Sequence, residues 1–109
     1  MEERFTEAAK RVQSLRRTYS RILVESVNDS LETEDLIRLV GTLEAAYNHI
    51  LAAKAKDFDL YCILKHLSYA LILMGEIGYS VEEIYNIMSI LTEGKIKPCS
   101  ACENDKSLK

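Results

Sequence analysis

Between Phe58 and Met74 the chain reads FDLYCILKHLSYALILM, an apolar and aromatic run interrupted only by Asp59, Lys65, His66 and Ser68. At about 100° per residue, Leu60, Ile63, Leu64, Leu67, Leu71 and Met74 fall in one stripe, and Cys62, His66, Tyr69 and Leu73 in a second, roughly opposite. A helix that is apolar most of the way round needs cover on two sides. The pattern therefore predicts that the remaining helices, or a second copy of the chain, enclose this segment. A membrane span is the weaker reading, because Lys65 and His66 sit at its centre and the run falls short of the roughly 20 residues a span requires.

The flanking segments carry helical periodicity of their own. Phe5, Ala8, Val12, Leu15, Tyr19, Ile22 and Ser26 step by three and four, which predicts a first helix from near Glu3 to about Ser26. Asn28, Asp29 and Ser30 favour a turn. Thr33, followed by Glu34 and Asp35, then reads as the cap of a second helix ending near Ala55. Its core face is Leu36, Val40, Leu43, Tyr47 and Ile50, widened by Ile37, Leu39 and Leu51. Gly41 inside it reads as tolerated rather than required. Lys56, Asp57 and Asp59 leave only a short connector to the third helix, which forces an antiparallel turn. Gly75 to Gly78 forms a glycine-bearing loop, after which Ser80 and Glu83 match a capping box and Tyr79 and Ile84 a hydrophobic staple. The fourth helix follows with Ile84, Ile87, Met88 and Leu91 and stops before Gly94. The fold class is all-α: an antiparallel up-and-down four-helix bundle over residues 1–94, with a flexible polar tail over 95–109.

Composition changes this picture little, and charge changes it more. The net charge of −3 over 109 residues does not favour nucleic acid or membrane as the default partner. Residues 1–27 sum to +2, 28–53 to −4 and 76–94 to −4, so oppositely charged segments can lie side by side and self-association is natural. From Lys10 to Arg21 the chain has five basic residues and no acid. Lys10, Arg11, Arg16, Arg17 and Arg21 are thus the candidate phosphate contacts, weighed against a solvated helix face. Helix 4 carries no Lys or Arg and opens with Glu82 and Glu83, which excludes it as a recognition helix in the major groove.

The opening Met-Glu-Glu-Arg has no secretory pattern, and three cysteines are too few for a disulfide framework. The expectation is a cytoplasmic chain with reduced thiols. Cys99 and Cys102 form a C-x-x-C in the tail, half of a four-ligand zinc site. A second subunit's tail, or Cys62 with His66, would have to complete it; two incidental thiols is the simpler reading. His49 reads as plain surface. The chain has no phosphate-cradling glycine loop with lysine, no H-E-x-x-H and no nucleophile elbow, so the sequence does not indicate an enzyme.

Three roles follow as expectations. The first is a protein-interaction module, most simply a homodimer, associating through Tyr61, Cys62, His66, Tyr69, Ile72 and Leu73. The second is a nucleic-acid-associated regulator using the basic face of helix 1. The third is a zinc-stabilised assembly through Cys99 and Cys102.

Overall fold

The computed structural model describes residues 3–25, 31–53 and 57–96. They form four helices: α1 (Glu3–Glu25), α2 (Leu31–Ala52), α3 (Asp57–Ile77) and α4 (Glu82–Leu91). Each helix packs on its sequence neighbours and α4 returns to α1, while neither α1 with α3 nor α2 with α4 makes a backbone approach among the described residues. The result is an all-α bundle. Its core lies where the four apolar stripes converge: Phe5, Ala8, Val12 and Tyr19 of α1; Leu36, Leu39, Leu43, Ala46 and Ile50 of α2; Ile63, Leu67, Ala70, Leu73 and Met74 of α3; Ile84, Ile87, Met88 and Leu91 of α4. The three-and-four spacing of these residues keeps each stripe on one side of its helix.

Two apolar residues of α2 expected to widen its core face do not reach the core. Ile37 is 55% exposed and Leu51 47%. The core face of α2 is Leu36, Leu39, Leu43, Ala46 and Ile50, with Val40 and Tyr47 half-buried against it. Gly41 is exposed, and a Cβ there would meet nothing within 4 Å, so it is tolerated rather than required.

The ends of α3 and α4 are set by polar and backbone contacts. The expected Gly75–Gly78 loop is shorter than the sequence suggested: Gly75 to Ile77 remain helical and the break falls on Gly78, at φ +104°. The amides of Gly78 and Tyr79 both donate to the Met74 carbonyl, at 3.0 and 2.9 Å, a Schellman ending that needs a left-handed residue at this position. After the turn Val81, not Ser80, occupies the N-cap. Ser80 Oγ accepts from the Glu82 amide at 3.3 Å, but Glu83 turns away to Arg11, so the expected capping box does not close. Tyr79 packs at a tilt of 46° against the buried Tyr19 of α1, ring centroids 4.9 Å apart.

At the other end of α4, Thr92 is 7% exposed and its hydroxyl donates to the Met88 carbonyl at 2.8 Å. The same oxygen accepts from the Ile96 amide at 3.0 Å, folding the chain back so that Ile96 lies against the core. Arg4 completes the junction. Its guanidinium donates to the Leu91 carbonyl at 2.9 Å and to Glu93 at 3.3 Å, joining the first turn of α1 to the last turn of α4. Residues 97–109, with Cys99 and Cys102, lie outside the described residues.

Two glycine substitutions separate backbone need from tolerance. Gly78→Ala places a Cβ on a left-handed residue and is expected to destabilise the fold by about 1–2 kcal/mol. Gly41→Ala adds a helix-favouring residue with open space around it and is expected to stabilise by about 0.5–1 kcal/mol. Urea denaturation followed by circular dichroism measures both.

Candidate functional site

The first surface to consider is the outer face of α3. Ile63, Leu67, Ala70 and Met74 define its core direction, and at 100° per residue the diametrically opposite direction runs through Tyr61, Lys65, Tyr69, Ile72 and Glu76. All five are exposed, Tyr61 at 63%, Tyr69 at 48% and Ile72 at 54%. Of the six residues expected to form an association surface, Tyr61, Tyr69 and Ile72 therefore lie on this exposed face. Leu73 is not: it is 3% exposed and belongs to the core. Cys62 and His66 are half-buried on the flank facing α2. The stripe read from the sequence was rotated about a fifth of a turn from the face left open. Apolar periodicity alone cannot separate a face toward a neighbouring helix from a face toward solvent when both carry large side chains. By length and composition the window Leu60–Ile77, mean hydropathy 1.3, is long and apolar enough to cross a membrane, yet Lys65 and Glu76 lie among its exposed residues.

The flank toward α2 holds a pair that the sequence reading missed. His66 stacks on His49, ring centroids 4.7 Å apart and planes 28° from parallel. Chain geometry alone did not point to it: reflecting α2 onto α3 about the connector between Ala52 and Asp57 brings position 49 level with position 60, not 66, so the pair needed the packed hairpin. Burial, then the neighbouring His49 and Lys65, hold the His66 imidazole below its ordinary pKa of 6.5, because each disfavours the imidazolium. Cys62 is a free thiol one turn from His66. No group of three or more His, Cys, Asp or Glu placed to hold a metal occurs among the described residues.

The second surface is the outer side of α1. Its five candidate cations divide into two sets. Arg11 is held by Glu7 of its own helix at 3.0 Å and by Glu83 of α4 at 3.1 Å, so it ties α1 to α4 rather than standing ready for a phosphate. Arg16 is half-buried and donates to Gln13 at 2.8 Å. Lys10, Arg17 and Arg21 are exposed and form no ion pair with any described residue. They lie along one line of α1, spaced about 10 and 6 Å by the helical rise. Lys10 and Arg17 border a groove of about 580 Å³ between α1 and α2, walled by Thr6, Ala9, Gln13, Tyr47 and Leu51. The sequence had found the cations, and the groove beside them needed the packing of two helices.

The histidine pair yields a pH dependence of defined sign. A folded-state pKa below the unfolded value means that the unfolded chain binds the proton more readily. The contribution of His66 is therefore fully present above pH 6.5 and is lost as pH falls from there toward the lower folded value. The melting temperature is expected to fall between pH 7.5 and 5, and His66→Gln is expected to flatten that part of the decline, as read by differential scanning calorimetry across the range.

Comparison with known proteins adds no relative to this geometry: no protein-family model, curated protein or solved structure matches the chain.

Proposed function

We propose that this chain is a small helical interaction module, not an enzyme, that works in the cytoplasm as a homo-oligomer, most simply a homodimer joined through α3. The observation that carries the reading is the bare face of α3, where two tyrosines and an isoleucine stand about half exposed on the side opposite the core stripe. Scattered exposed apolar residues need no explanation, but Tyr69 and Ile72 adjoin on one helix face with Tyr61 two turns along it, a grouping that suits another protein's surface. Tyrosine suits such a surface, since the ring buries area while the hydroxyl keeps a polar contact. A single helix pair buries less than a standard interface, so the affinity belongs to the weak, reversible class, with Kd on the order of 1–100 μM.

The experiment is native mass spectrometry with light scattering across a concentration series of freshly reduced protein. A dimer that dissociates on dilution is the expected result. Ile72→Glu should raise its Kd at least about tenfold, since it places a charge in an apolar contact, with helical content unchanged. A monomer at several hundred micromolar would sink the reading. The same spectra report any bound zinc, and so test assembly through Cys99 and Cys102.

A second reading, a nucleic-acid-associated protein, is favoured by one observation, the exposed Lys10, Arg17 and Arg21 of α1, which form no ion pair among the described residues. If Lys10, Arg17 and Arg21 each neutralise one phosphate, duplex binding should weaken with salt at a log–log slope of about −2.7. Replacing all three by Glu should abolish it. Electrophoretic mobility shifts at 50 and 200 mM salt provide the check.

A further inference from the structure

The outer face of α3 carries, besides its apolar residues, charges in an arrangement that specifies a partner. On this face Lys65 lies one turn before Tyr69 and Glu76 one turn after Ile72, and all four are exposed. The two apolar residues and the two charges share one midpoint, between Ala70 and Leu71. Building on the reading that this face self-associates, we propose that two copies pair α3 against α3 in antiparallel register about a two-fold axis at that midpoint. Tyr69 of each copy then meets Ile72 of the other, while Lys65 of each copy meets Glu76 of the other.

Three features of the helix support this register over its alternatives. A two-fold axis maps a surface onto itself, so an isologous interface must be self-complementary. Antiparallel pairing about this midpoint satisfies apolar and charged positions together, giving two ion pairs about 16 Å apart with the apolar cluster between them. Parallel pairing in register sets Lys65 on Lys65 and Glu76 on Glu76, and like charges across an interface oppose association. Gly75, exposed beside Glu76, has nothing within 4 Å of where a Cβ would stand, so the bundle does not need a glycine there.

The two ion pairs make the register testable by exchanging their charges. Dimer Kd is measured by sedimentation equilibrium at 50 mM salt for the wild-type chain, Lys65→Glu, Glu76→Lys, the variant carrying both, and Ile72→Glu. In the proposed register each single variant replaces both attractive pairs of the dimer with like charges, so each Kd should rise about five- to tenfold. The double variant restores opposite charges and should return to within about twofold of wild type. Single variants unchanged from wild type, or a double variant weakened by the product of the two, would overturn the register. If Ile72→Glu alone then dissociates the dimer, α3 is the interface but in another register. If the wild-type chain is monomeric, or is recruited as a monomer to neutral phosphatidylcholine vesicles, the self-association reading fails together with the register.

Discussion

The length of α4 constrains the rest of the molecule. Ten residues rise about 15 Å and the 21 residues of α3 about 31 Å, so the fourth helix cannot cover the third from end to end. α2 shields α3 along one side and α4 along part of another, and among the described residues the backbones of α1 and α3 do not approach each other across the bundle. A helix apolar on almost every side is left with one side bare. The exposed tyrosines follow from that shortfall of cover, and they are the surface on which the proposed self-association rests.

Much of this was legible in the sequence. The seam of α1 from Phe5 to Tyr19, the connector too short for anything but an antiparallel return, and the four stripes of the core all follow from periodicity and chain length. What escaped was angular and combinatorial. Leu73 was assigned outward and lies inward, because on a helix apolar almost all round only Lys65 and Glu76 mark the open side, two charges too few to outweigh the apolar stripes. The Ser80 and Glu83 pattern of a capping box was present, but Glu83 had a competing partner in Arg11, 72 positions away along the chain. His49 looked like surface because its partner is on another helix. Each miss is a case where a local rule yielded to a contact that only the assembled bundle supplies.

The cations of α1 show the same sorting. Arg4 and Arg11 use their planar, forked donors to hold α4, one on its terminal carbonyl and one on a carboxylate, geometry that an ammonium does not match. Lys10, Arg17 and Arg21, on the opposite border of the same helix, are left to solvent. One helix thus divides its basic residues between architecture and surface, and a count of charges along the sequence could not separate the two.

The junction between Arg4 and Leu91 also bears on how the chain assembles and opens. Helices α1, α2 and α3 meet across short connectors, whereas this contact spans 87 positions and carries the largest loop-closure entropy in the fold. Docking α4 onto α1 is thus the non-local step that slows folding, and α4, the shortest helix, is the element whose release exposes the least core. Amide exchange should grade accordingly, fastest through α4 and the turn around Thr92 and slowest in the middle of α2. The two ends of the bundle are held side by side by a guanidinium and a carbonyl, so the place where the chain closes on itself is also where it first comes apart.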